Sequence, residues 1–215
     1  RQLMYEPGFF TKDTKPGKQV LSGYKLSLSR SGDTYKLTDV KKDNESVLRG
    51  YTTEGANFYP LDSIRKNNPD SANDNDHNDY FGMRYDIEFK IGDYLGNLNY
   101  TFKGDDDLWA VLDANENGGK VVIDLGGIHS ALDKSVDLWK TILGKDNYTP
   151  EDKKNLSEDE RNKTHTLTIL YMERGAYASN CQMEFTLPNS KVINSEEAEK
   201  SLTFTKTTTS GTALA

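Results

Sequence analysis

The sequence predicts an all-β fold, an antiparallel β-sandwich with long loops and one small surface helix. Three observations carry that expectation. From Met83 to Ile91 the chain alternates strictly: Met83, Tyr85, Ile87, Phe89 and Ile91 share one face, and Arg84, Asp86, Glu88 and Lys90 share the other. That is the pattern of a half-buried antiparallel strand. Short β-prone runs recur along the chain, separated by glycine- and proline-marked turns, as in sandwiches. Helix-start chemistry is read only at Thr149-Pro150-Glu151-Asp152, a cap followed by proline and two acids.

The elements follow in order. Residues 1–19 are polar, with Pro7, Gly8, Pro16 and Gly17, and are expected to form an N-terminal arm. Val20, Tyr24, Leu26 and Leu28, then a Ser31-Gly32-Asp33 turn, then Tyr35, Leu37 and Val40, read as a hairpin. Asn57-Phe58-Tyr59-Pro60-Leu61 is a short extended apolar segment. Arg65 to Asp79 is a loop rich in Asn and Asp. Its Asp74, Asp76 and Asn78 share the spacing of calcium loops. An EF-hand would need Gly in the sixth place and Glu in the twelfth. Asp79 and Tyr85 stand there, so a solvated acidic loop is the reading.

Leu98, Tyr100 and Phe102 form the strand after the Gly92 and Gly96 turn; Leu108, Ala110 and Leu112 resume the alternation. Val121, Ile123 and Leu125 make another strand, broken by Gly126-Gly127. Leu132 to Trp139 is assigned as a strand, Thr149 to Arg161 as the surface helix, and Thr164–Met172 and Gln182–Leu187 as the last strands of the domain. The main domain is placed at residues 20–190. Trp109 and Trp139 are assigned to the core.

Composition limits function. Only 34% of residues are apolar, which supports a sandwich only because 12 Tyr and 8 Phe each bury a large ring. The net charge of −7, without a basic stripe, excludes a nucleic-acid partner and suits cation binding and an extracellular location. The single cysteine, Cys181, rules out an internal disulfide and is expected as a small buried apolar group. No run reaches the ~18 apolar residues of a membrane span. The chain starts at Arg1 and ends at Ala215 without a leader, and is read as a piece of a longer protein.

The chemistry gathers at Phe102-Lys103-Gly104-Asp105-Asp106-Asp107-Leu108-Trp109. Neighbouring side chains of a strand point to opposite faces. Adjacent carboxylates therefore converge only where the backbone leaves strand geometry, for example through a cis peptide. Three like charges also demand neutralisation. A hard cation such as Ca2+, which prefers oxygen ligands, meets both needs; an ordinary solvated acidic turn is the bland alternative.

Five blocks between Asn57 and Leu187 carry a resemblance. They are Asn57-Phe58-Tyr59-Pro60-Leu61, Tyr80-Phe81-Gly82-Met83, Thr101 through Trp109, Ile123-Asp124-Leu125-Gly126-Gly127-Ile128-His129, and Tyr171-Met172-Glu173-Arg174. Together they resemble the fibro-slime family, a branch of the β-sandwich module of anthrax protective antigen. Ala110-Val111-Leu112 departs from the bulkier run common there. The resemblance implies a Ca2+ site of an Asp-Asp pair joined by a cis peptide, mapped to Asp105-Asp106 or Asp106-Asp107. A second loop, Glu173 to Asn180, would add the Glu173 side chain and the Gly175 and Tyr177 carbonyls. Ligand hydroxyls would complete the ion's shell, with Asp105, Asp106, Arg174, Tyr177, Asn180 and His129 facing the ligand. Tyr177 would stack on a sugar. Glu173-Arg174 reads equally as a salt-bridged strand end, and His129 as a hydrogen-bonding residue.

Residues 202–207 with 211–215 resemble the first strand of a Cna-type B stalk repeat, with Lys206 in the place of its isopeptide lysine. Residues 191–215 are then a linker and the opening of a stalk. The expected function is a Ca2+-dependent, carbohydrate-binding adhesin of a Gram-positive surface or pilus tip, extracellular and wall-anchored, recognising a host or microbial glycan or surface protein. The alternative is a structural or protein-binding module in which Ca2+ only rigidifies loops. A glycosidase ranks last, because no nucleophile–base pair converges on the acidic turn.

Overall fold

The computed structural model describes residues 10, 16, 18–22, 28–37, 40–42, 45–48, 58–61, 80–114, 119–127, 129–174, 179–190 and 202–209. Strands are β1 (Lys18–Ser22), β2 (Leu28–Ser31), β3 (Thr34–Leu37), β4 (Val40–Lys42), β5 (Glu45–Leu48), β6 (Phe81–Phe89), β7 (Asn99–Gly104), β8 (Asp107–Leu112) and β9 (Lys120–Leu125). They continue as β10 (Leu132–Asp137), β11 (His165–Glu173), β12 (Cys181–Thr186) and β13 (Leu202–Thr209). Three short helices, α1 (Leu138–Leu143), α2 (Pro150–Lys154) and α3 (Glu158–Asn162), interrupt the β structure.

The period-2 alternation predicts two faces, and the strands pair so that the apolar faces meet. One sheet runs β1-β13-β6-β11-β8-β9, the other β10-β7-β12-β3-β2, and every strand pair is antiparallel. This is an all-β sandwich. Met83, Tyr85, Ile87, Phe89, Leu108, Ala110, Leu167, Ile169 and Tyr171 line the inner face of the first sheet. Tyr100, Phe102, Met183, Phe185, Tyr35 and Leu37 line the second. Burying such a side chain contributes roughly 1.5–3 kcal/mol. The Tyr85 hydroxyl crosses the core to the Tyr100 hydroxyl at 3.1 Å and to Met183 Sδ at 2.6 Å. Burial pushes both tyrosines well above the usual phenol pKa, so both stay neutral donors. Phe58 and Leu61, from the short apolar segment, are fully buried under the sandwich.

Several expectations need correction. Leu132–Trp139 is a strand only to Asp137; α1 begins at Leu138. Asp137 caps it by accepting from Trp139 N at 3.0 Å, and Gly144 ends it in a left-handed conformation, φ 65, where glycine meets no Cβ penalty. The Asp137 carboxylate also accepts from Tyr148, and burial together with that carboxylate pushes the Tyr148 phenol up to about 12. The surface helix is two helices. Ser157 supplies a second N-cap, accepting from Glu160 N, after Asn155 closes α2. Trp139 is core, with Nε1 donating to Gly96 O at 2.8 Å. Trp109 is instead half-buried, because its register on β8 is opposite to that of the inward Leu108 and Ala110. The segment expected to open a stalk forms β13, paired antiparallel with both β1 and β6 inside the sandwich. The loop at 62–79 lies outside the described residues.

Candidate functional site

The acidic turn is a corner between the two sheets. β7 belongs to one sheet and β8 to the other, and Asp105-Asp106 is all that connects them. Pairing places a second corner beside it. Gly104 of β7 lies opposite Cys181 of β12, and Asp107 of β8 lies opposite Met172 of β11. Arg174 and Asn180, which flank the β11-to-β12 crossover, therefore lie beside Asp105-Asp106. The β9-to-β10 crossover ends at the same place, since Leu125 pairs with Leu108 and Leu132 with Gly104. Three crossovers thus meet at one end of the sandwich.

The backbone does leave strand geometry at the triplet, by a different device from the one expected. No described peptide bond is cis; Asp106 takes a left-handed φ of 58 instead. Aspartate tolerates this conformation better than most residues. The carboxylates then separate. Asp105 Oδ1 accepts from Asn180 N at 2.7 Å and its Oδ2 from Asn180 Nδ2, while its own N–H donates to Asn180 O at 3.3 Å. Asp106 Oδ2 accepts from Arg174 N at 2.8 Å. Asp107, only 1% exposed, receives the Arg174 guanidinium at two points, Nε to Oδ2 at 2.5 Å and Nη2 to Oδ1 at 3.0 Å, and the Gly127 N–H. Burial raises the Asp105 carboxyl above its usual value, and the Asn180 donors oppose that shift.

Close approach of the corners requires glycine. A Cβ on Gly104 would stand 2.2 Å from Asn180 O, and one on Gly126 would stand 2.8 Å from the Trp109 ring.

The other expected site residues divide. Glu173 is buried and faces inward, accepting from the Tyr171 hydroxyl at 2.9 Å. Burial and that carboxylate push Tyr171 well above the usual phenol range. His129 braces its own crossover, with Nδ1 3.0 Å from Ser130 O and Nε2 3.1 Å from Leu125 O. Gly175 and Tyr177 lie outside the described residues. Among the described residues no group of three His, Cys, Asp or Glu side chains converges as a metal cage. A single acceptor is left over: Asn180 Oδ1 is buried and has no hydrogen-bond partner in the described structure.

Other features had no sequence reading. Asp113, at φ 54 after β8, binds His165 Nδ1 at 3.0 Å, Lys163 Nζ at 3.1 Å and Thr166 N at 3.0 Å. His165 is buried with Phe89 stacked on its ring, and its other nitrogen is 3.5 Å from Glu160 Oε1. A groove of about 720 Å3, lined by Asn97, Lys120, Val121, Ser135, Lys140 and Thr141 among others, includes none of the expected site residues.

Comparison with known proteins points away from bacteria. The chain is 33% identical to protein psiC of Dictyostelium discoideum over 108 residues, 48% of this chain and 19% of that protein. It is 30% identical to protein psiI of the same organism over 139 residues, 64% of this chain and 16% of that protein. With protein psiK it shares 27% identity over 170 residues, 74% of this chain and 20% of that protein. The chain thus spans a fifth or less of these relatives. No family model and no solved structure matches. The expected membership in a Gram-positive fibro-slime or Cna-type family, and with it the bacterial pilus and cell-wall lectin identity, is overturned: the relatives are proteins of a eukaryote.

Proposed function

We propose that this domain is a non-catalytic, protein-binding recognition module of an extracellular protein, working through the end where the three crossovers meet. The observation behind the reading is the lock of Arg174 on Asp107, together with Asn180 on Asp105. Each carboxylate of the corner holds a group of the neighbouring crossover. Side chains already held in place, as Arg174 and Asn180 are, lose less conformational entropy on binding, which suits recognition of a folded partner. Among the described residues at this end no nucleophile is paired with a base, and no catalysis is proposed.

Ca2+ has one place in this reading. The Asp105 carboxylate and the buried Asn180 Oδ1, which has no hydrogen-bond partner among the described residues, are hard oxygens, and a hard cation fits such donors. There it would rigidify the 174–180 crossover rather than bridge a ligand.

The test uses the chain with a tag, incubated with surfaces of cells that present candidate partners. Saturable binding that Arg174→Ala abolishes, with an unchanged far-ultraviolet spectrum, supports the module. Binding indifferent to that change, or turnover of chromogenic glycosides, would remove it. Melting with Ca2+ or chelator addresses the ion separately: a higher melting temperature with Ca2+ that Asn180→Ala cancels supports the loop role.

A further inference from the structure

The crossover from β10 to β11, residues 138–164, carries α1, α2 and α3, and it lies at the end opposite the acidic corner. β10 runs from Leu132, opposite Gly104, to Asp137, opposite Asn99, and β11 returns from His165 to Glu173. The nine residues of β11 separate the two ends by about 27 Å at ~3.4 Å per residue.

Within that crossover stand three Asn-x-Ser/Thr triplets: Asn147-Tyr148-Thr149, Asn155-Leu156-Ser157 and Asn162-Lys163-Thr164. Each asparagine is exposed, and none of their side-chain amides has a hydrogen-bond partner among the described residues. From this we infer that Asn147, Asn155 and Asn162 are acceptors for N-linked oligosaccharide, an assignment that rests on the extracellular reading above.

Helix capping explains part of the pattern without any sugar. Thr149 is the N-cap of α2 and Ser157 the N-cap of α3, roles that favour Thr and Ser on their own account. Capping does not explain the rest. Asn147 precedes the cap by two residues, and Thr164 follows α3. Asn155 closes α2 at φ −86, outside the left-handed region that favours asparagine at a helix end. Three exposed amides, each two residues before a hydroxyl, remain as one pattern, and that triplet is what the glycosylation machinery of a eukaryotic secretory pathway reads.

The chemistry balances with one co-reactant, an oligosaccharide carried on a lipid diphosphate. The asparagine Nδ2 forms a bond to the anomeric carbon as the bond from that carbon to the diphosphate oxygen breaks. The amide loses one proton, and the lipid diphosphate leaves. Transfer to the chain before α2 and α3 form leaves Thr149 and Ser157 free to be read first and to cap later. The glycans would cover the helical end and leave the crossover end open for a partner.

The test directs the chain, behind a cleavable secretion signal, through cultured eukaryotic cells. Intact mass is read before and after peptide N-glycosidase, which converts each modified Asn to Asp, and peptide mapping locates the conversions. The expected result is a mass above the bare 24.2 kDa that collapses on digestion. Asn147→Gln, Asn155→Gln and Asn162→Gln should each remove one step while keeping both cap hydroxyls. A bare chain, or sugar confined to Asn44 or Asn99, the other two triplets in the sequence, overturns the inference. The same reading on cell-retained chain covers poor secretion. Because the added signal delivers the chain whatever its native compartment, these outcomes are independent of the extracellular reading, which fractionation of the parent protein tests by itself.

Discussion

The guanidinium of Arg174 holds both carboxylate oxygens of Asp107, 67 residues earlier in the chain. The pair ties the corner between β7 and β8 to the crossover between β11 and β12, and Asp107 is almost without solvent contact.

Removing the cation leaves a buried carboxylate with the Gly127 N–H as its remaining described donor. Arg174→Ala should therefore destabilise the fold by about 3 kcal/mol, the low end for a broken buried pair, because Arg174 itself keeps some water contact. Arg174→Lys should recover only part, since an ammonium cannot reproduce the two-point contact. Urea unfolding of the three proteins reads both effects, and equal midpoints would show that the pair is energetically idle.

Gly104→Ala should be costly for a different reason. Its Cβ would strike a main-chain oxygen, Asn180 O, and the Phe102 ring, and backbone cannot swing aside as a flexible side chain does. A loss of roughly 1–3 kcal/mol is expected, with faster amide exchange at Asn180, whose N–H is bound to Asp105. Unchanged exchange there would mean that the corners do not touch as described.

Asp113 sets an acid limit. Burial pushes its carboxyl upward, but hydrogen bonds from His165, Thr166 N and Lys163 outweigh that and hold it down at about 2, against 3.8 for the unperturbed group. A folded-state pKa below the unfolded one gives stability that is present above about 3.8 and is lost as pH falls towards 2. Asp113→Asn should be less stable at neutral pH and show a flatter loss of stability between pH 4 and pH 2. Parallel denaturation curves for both proteins across that window would contradict it.

β13 lies between β1 and β6. Deleting residues 191–215 should bare the β6 edge along the seven residues that pair with β13, Phe81 to Ile87, an unpaired edge of the kind that recruits other chains. A lower melting temperature and aggregation are expected by calorimetry and light scattering. A truncated chain as stable and monomeric as the parent would assign β13 to a separate unit.

Much of the fold was legible in the residues. The alternation along β6, β7, β8, β9, β11 and β12 reports local geometry, because a strand with one buried face must place apolar groups at every second position. Thr149 with Asp152 announced a helix start, and the capping box forms. The signals for α1 were also present: Asp137 before it, Gly144 after it, and Leu138 and Trp139 as its buried residues. They are hard to separate from a strand because β10 runs directly into α1 with no intervening turn. Ser157 likewise marked the division of α2 from α3.

The acidic triplet shows the other half. By itself the sequence determined that three adjacent carboxylates sit between two buried strands and need neutralising. Only the tertiary structure decided how: a left-handed Asp106 turns Asp105 to Asn180 and Asp107 to Arg174. It likewise set β13 between β1 and β6. Local pattern encodes which face a side chain takes. Which distant group it meets depends on strand order and register, and these follow from packing the whole core at once.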